Sequence, residues 1–138
     1  MSELDNLYNQ RSSYESQKRQ CEASRAAINN KIQRLETVKS EIVTAKKDVD
    51  TARGYIKGKL ETHTDSWVGS VYNKVNSIHQ DGVNAKFNAY YDDVDYVLDE
   101  ICDEITRLEN ENRNLGVILN GIVNALNSIG NEIEKWLN

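Results

Sequence analysis

Thr62-His63-Thr64-Asp65-Ser66-Trp67-Val68-Gly69-Ser70 decides how the rest of the chain is read. Thr64, Asp65 and Ser66 each carry a short side-chain oxygen that can accept from the free N–H groups of a helix's first turn. Gly69 places no Cβ where two helices leaving a tight connection must approach. Trp67 offers a broad apolar surface able to close the end of a hairpin. Long runs of helical periodicity lie on both sides. The segment therefore reads as a bend over residues 62–69 that joins a helix over 4–62 to a helix over 66–137.

On the N-terminal side, Leu7, Tyr14, Cys21, Ile28, Leu35, Ile42, Val49 and Ile56 recur every seven residues. Val38, Ala45 and Ala52 add a second line, which gives the alternating three-and-four spacing of a coiled-coil seam. Before Ile28 that second line is polar (Gln10, Gln17, Ser24), and Lys31 follows it, so the early heptads are half-built. The first helix cannot bury this stripe alone and needs another helix. On the C-terminal side, Val71, Val75, Ile78 and Gly82 continue the repeat, and its phase slips between Asp81 and Ala89. Glycine costs ~1 kcal/mol inside a helix, so a kink is expected near Gly82. From Val94 the spacing is clean through Leu98, Ile101, Ile105, Leu108, Asn112, Leu115, Leu119, Ile122, Leu126, Ile129, Ile133 and Trp136. Asn112 is the lone polar member, the kind of residue that fixes register in a seam.

Composition agrees with this reading. The 138 residues contain no proline, 28% are charged and 7% are aromatic, which suits long helices in one domain over 1–138 and gives no sign of a sheet. The expected fold is all-α: an elongated, coiled-coil-like antiparallel helical hairpin with a Trp-x-Gly bend. A short third helix folding back at Gly116 or Gly121 is an alternative for the C-terminus. A net charge of −5 argues against a general nucleic-acid binder. The N-terminal Met1-Ser2-Glu3-Leu4-Asp5 does not read as a signal peptide, and no apolar run reaches membrane-spanning length. These features point to a cytoplasmic protein without a membrane span. Cys21 and Cys102 are too few for a disulfide framework or a zinc site and read as free thiols.

The two halves differ in charge. Residues 1–60 carry twelve basic and eight acidic side chains, and residues 61–138 carry five and fourteen. Folding back near residue 64 would set Asp92, Asp93, Asp95, Asp99, Glu100, Asp103 and Glu104 beside Lys18, Arg19, Arg25, Lys31 and Arg34. It would also set Cys21 near residues 102–107. Catalytic chemistry finds little support. His63-Thr64-Asp65 and His79-Gln80-Asp81 repeat a His-x-Asp pattern at loop or surface positions, without a third ligand set. Ser66 and Ser70 have no nucleophile-elbow context and no base partner. The chain reads as a non-enzyme with no catalytic residues, no metal and no cofactor.

A helical hairpin with Trp67-x-Gly69 at its bend resembles the WXG proteins of Gram-positive type VII secretion. It is more similar, over roughly residues 5–138, to the YwqH-like small helical proteins encoded beside LXG toxins, where the Trp-x-Gly element is followed by a glycine in a setting like Gln80-Asp81-Gly82. This resemblance implies an accessory, chaperone-like targeting partner that binds the helical N-terminal region of an LXG toxin and helps deliver it to the secretion ATPase. It leaves room for a second small helical accessory protein and for co-secretion. The WXG export signal, Tyr-x-x-x-Asp/Glu, is matched by Tyr91 and Asp95 and by the spacing of Tyr96 and Glu100; both matches lie inside the second helix.

The sequence also suggests where a partner would sit. A bend near 64 leaves residues past 125 with no first helix opposite them. The expected partner surface is therefore the end of the hairpin distal to Trp67: Gly116, Ile118, Val123, Leu126, Ile129, Gly130, Ile133, Trp136 and Leu137, with Leu4, Leu7, Tyr8 and Tyr14. The competing function is a self-assembling coiled-coil spacer, a homo-oligomer with no toxin client.

Overall fold

The computed structural model describes residues 2–62 and 69–138, and the side chains of all of these except 60–62, 70 and 72. In order they form α1 (Glu3–Thr62), α2 (Gly69–Ser77), a π-helical segment (Ile78–Val83) and α3 (Asn84–Leu137). The described residues contain no strand, and the long helices pack against each other as a helical hairpin. Trp67 and the capping residues Thr64, Asp65 and Ser66 lie outside the described residues, and Gly69 opens α2. The chain forms two compact units: Met1–Arg34 with Glu104–Asn138, and Leu35–Asp103.

In the first unit, α1 begins at Ser2. The Asp5 N–H donates to Ser2 Oγ at 3.1 Å and the Asn6 N–H to the Ser2 carbonyl at 3.1 Å, so Ser2 is an N-cap. Glu3 and Asp5 place negative charge at the positive end of the helix. Cys21 and Ile28 of α1 and Ile105, Leu108, Ile122, Ile129 and Ile133 of α3 are the buried apolar residues. The Cys21 thiol donates to the Leu115 carbonyl (3.3 Å), Arg25 Nε to Asn112 Oδ1 (3.1 Å) and Asn112 Nδ2 to Asn29 Oδ1 (2.8 Å). The segments are antiparallel, and Asn112 is satisfied as both donor and acceptor.

This register corrects two expectations. Cys21 meets Leu115, not residues 102–107. Trp136 and Leu137 stay exposed as expected, but Ile129 and Ile133 are 7% and 4% exposed, so residues 126–133 are not left uncovered. The unit's only other segment is the start of α1, which must cover them. The expected block of opposite charges forms only in part. Arg107 first, and then Lys31 of α1, lower the Glu104 carboxyl, but Arg25 bonds Asn112, and Lys18 pairs with Glu22 of its own helix at 3.9 Å.

No third helix folds back, because α3 runs unbroken through Gly116 and Gly121. A helical glycine costs ~1 kcal/mol. Burying each of Ile122, Ile129 and Ile133 is worth about 1.5–3 kcal/mol, which outweighs it.

The two lines of α1 part company. Leu35, Ile42 and Val49 are half-buried as the seam requires, whereas Val38, Ala45 and Ala52 are exposed. The half-buried second line lies on the other flank: Arg11, Lys18, Arg25, Ile32, Lys39, Lys46 and Arg53, again every seven residues. A continuous helix keeps one flank inward along its length. The flank containing Val38 is polar at Gln10, Gln17, Ser24 and Lys31, while long Lys and Arg stems can cover apolar surface and still keep their charges wet.

The π segment accounts for the phase slip near Gly82. The Asn84 N–H donates to the His79 carbonyl, five residues back. His79 is buried, and Asn84, Phe87, Tyr91, Val94 and Leu98 follow as the half-buried face. The step from His79 to Asn84 is thus one residue longer than an α-turn allows, and the wider turn absorbs it. The expected kink is a local change of helix type.

Stability should follow this division. Leu108, 2% exposed, lies in the seam, and Leu108→Ala is expected to cost about 2–5 kcal/mol. Val38→Ala, at a position 42% exposed, should cost under ~0.5 kcal/mol. Urea unfolding of both variants measures the difference, and equal costs would contradict the placement of Val38.

Candidate functional site in the Leu35–Asp103 unit

Apart from His79, no described residue of this unit is buried; its apolar seam residues, among them Leu35, Ile42, Val49, Val94 and Leu98, are half-buried, and polar and aromatic contacts accompany them. Lys46 and Arg53 are central. Lys46 Nζ lies 2.5 Å from Asp95 Oδ1 and 5.8 Å from the centre of the Tyr91 ring. The Arg53 guanidinium donates to Asn84 Oδ1 and lies 6.0 Å from the Phe87 ring centre and 5.5 Å from that of Tyr91. The Tyr91 hydroxyl donates to Asp50 Oδ1 at 3.0 Å. The Asp95 hydrogen bond holds the Lys46 ammonium above its usual range. Partial desolvation, followed by donation to Asp50, raises Tyr91.

Tyr91 and Asp95, the expected targeting pair, are therefore both tied to α1. Tyr96, of the second matching pair, is 66% exposed. Lys46–Asp95 is the one ion pair between α1 and α3 among the described residues. Asp92, Asp93, Asp99, Glu100 and Asp103 face solvent.

Next to this cluster, Asp50, Arg53, Gly54 and Lys57 of α1 and His79, Gln80 and Asn84 line a cleft of about 350 Å³. The sequence suggests a surface or loop position for His79. Instead it is 8% exposed, and its Nδ1 has no hydrogen-bond partner. Neighbouring Asp81 accepts from Ser77 Oγ at 3.1 Å. Among the described residues no cluster of His, Cys, Asp or Glu has metal-holding geometry.

A second surface of the unit is apolar. Val38, Ala45, Ala52 and Ile56 are exposed and run alongside Ile42 and Val49, the half-buried seam residues, so an apolar flank of three-and-four spacing is left beside the seam. At the other end of the chain, the expected partner residues divide. Ile129 and Ile133 are buried; Leu4, Leu7, Tyr8, Tyr14, Val123, Leu126 and Gly130 are half-buried; Ile118, Trp136 and Leu137 are exposed. Gly116 lies against the chain's own Arg25, whose Cζ would be at ordinary contact distance, 3.5 Å, from a Cβ there.

Sequence reasoning missed the Arg53 cluster and the buried imidazole. A signal existed for each: the basic heptad line from Arg11 to Arg53, and the five-residue spacing of His79 and Asn84.

Two measurements probe the cluster. Arg53→Ala removes two cation–π contacts worth ~0.5–1 kcal/mol each at exposed sites, together with the bond to Asn84. Amide exchange should accelerate in residues 35–103 while residues 1–34 and 104–138 keep their protection; uniform acceleration would contradict a local role. Tyr91 holds its proton more tightly folded than unfolded, so its contribution is complete below pH ~10 and is lost as pH rises through the folded value. The difference in tyrosinate absorbance between wild type and Tyr91→Phe should therefore have its midpoint above the ordinary tyrosine value. A midpoint at or below that value would refute the contact.

No curated protein and no solved structure matches the chain. One family model does match, the YwqH-like family, over residues 9–131. With most of its length covered, the chain belongs to the YwqH-like family.

Proposed function

We propose that the chain is a non-enzymatic, chaperone-like targeting partner that binds the helical N-terminal region of an LXG-class toxin for type VII secretion. The observation that carries this reading is the exposed apolar ridge Val38, Ala45, Ala52 and Ile56, which runs beside the seam residues Ile42 and Val49. Its spacing is that of a coiled-coil seam, yet α3 leaves Val38 42% and Ile56 37% exposed. An amphipathic helix laid along α1 would use this ridge as α3 uses the other flank. Family membership supports the reading, because the resemblance that names the family also implies a helical toxin as client. The proposed surface thus moves from the far end of the hairpin, where Ile129 and Ile133 are buried, to the Leu35–Asp103 unit. Tyr91 and Asp95 act first as contacts that hold this unit together, and an export signal read from them would have to be read in that state.

Ala45→Glu with Ala52→Glu places two charges on the ridge at exposed positions where helix propensity barely changes. The melting temperature should stay at the wild-type value. Recovery of the LXG helical region in co-purification should fall at least about tenfold, equivalent to ~1.4 kcal/mol. Recovery at wild-type yield would place the client elsewhere.

A further inference from the structure

We propose that the cleft between α1 and the π segment is a binding site for a small oxyanion, a phosphate or a carboxylate. This inference is independent of the client-binding reading, since Gly54 and Lys57 lie on the flank of α1 away from Val38, Ala45 and Ala52.

The hydrogen-bonding inventory of the lining residues carries the argument. Arg53 and Lys57 bring two positive charges and only donors. Asn84 has committed its oxygen to Arg53, which leaves its amide N–H groups. Gln80 can donate as well. Against these stands one carboxylate, Asp50, whose Oδ1 already accepts from Tyr91. Donors and positive charge exceed acceptors and negative charge, so the matching ligand is rich in acceptors and anionic. A cation would meet the opposite balance, and the described residues hold no metal-binding cluster.

His79 is the second observation. It lines the same cleft, is 8% exposed, and is the one buried polar side chain with an atom lacking a partner among the described residues. Buried polar groups are ordinarily satisfied; Nδ1 is itself closed off from solvent, and a small shift of the imidazole would let a molecule bound in the cleft, or its water, complete the bonding. The π turn that holds it is the kind of helix defect found frequently at functional sites. At about 350 Å³ the cleft takes a phosphate ion or a small carboxylate with its hydration. The anion could come from solution or from an acidic side chain of a bound protein; the chemistry recognised is the same.

Gly54 provides the test. A Cβ built there meets nothing within 4 Å, so Gly54→Leu should fold, and its side chain would occupy the cleft. The full-length protein is titrated separately with inorganic phosphate and with succinate while its ¹H–¹⁵N spectrum is recorded. At least one anion should give saturable shifts at Gly54, His79, Gln80 and Asn84. Gly54→Leu should abolish these shifts, and Lys57→Met, a change at an exposed side chain, should weaken the apparent affinity at least about tenfold. Preference for phosphate identifies a free ion as the ligand, and preference for succinate identifies a carboxylate, the group an acidic side chain would present. Linear, non-saturating shifts with both anions, or saturable shifts that persist unchanged in Gly54→Leu, would overturn the proposal.

Discussion

The pairing of the helices depends on basic side chains placed inside what would otherwise be an apolar seam. Arg25, Lys46 and Arg53 recur in the same heptad position of α1, half-buried, and each reaches an acceptor on the opposing segment: Asn112, Asp95 and Asn84. Apolar seams tolerate sliding, because a leucine packs nearly as well one turn along. A half-buried cation with a partner does not, because displacement gives up its hydrogen bond to the facing acceptor. Arg25 shows the constraint most fully. Its Nε bonds Asn112, its guanidinium lies against Gly116, and Asn112 in turn holds Asn29. Shifting that node by one heptad would put Arg25 beside Ile105 or Leu119 and leave Asn112 without its acceptor and donor.

This choice of flank also fixes what each unit has left to display. Two helices share one seam, and α1 carries apolar residues on more of its circumference than α3 can cover. In the unit of Met1–Arg34 and Glu104–Asn138 the surplus is small, and seven apolar side chains are buried. In Leu35–Asp103 no apolar side chain among the described residues is buried, and a half-buried apolar seam is joined by one ion pair, hydrogen bonds and ring contacts at partly exposed positions. Contacts of that kind are individually weak in water. Local opening therefore costs less in this unit than in the other, and low local stability is common in elements that bind partners.

Much of the fold was legible because its signals are periodic. The absence of proline, the seven-residue line from Leu7 to Ile56 and the clean repeat from Val94 require long helices that bury a stripe against each other. The register was less legible. A bend chosen by capping residues is uncertain by several residues, and each residue of error moves the facing position by two, which is how Cys21 came to be expected opposite 102–107. The flank of α1 was misread for a different reason. Counting apolar residues favours Val38, Ala45 and Ala52 over Lys39, Lys46 and Arg53, although a long charged side chain can pack a seam with its stem. For the His79 cleft the sequence offered only the five-residue spacing of His79 and Asn84, because the π turn that brings Asn84 to Arg53 exists only in three dimensions.

Charge bears on whether the open ridge serves a second copy or a different protein. Leu35–Asp103 contains eight basic and thirteen acidic residues, while the remaining segments contain nine of each, so the whole net charge of −5 belongs to the open unit. Two copies meeting through that unit would bring like charges within the ~8 Å over which physiological salt leaves repulsion unscreened. Single pairs of exposed charges are weak, but a surplus of five on each side acts over the whole contact and slows encounter as well as weakening it. A basic or neutral helix meets no such barrier. If the ridge takes a client as proposed, Asp92, Asp93, Asp99, Glu100 and Asp103 would have a physical role without touching it. On that reading they would oppose self-association through the apolar ridge and so keep it available to a helix of another sequence.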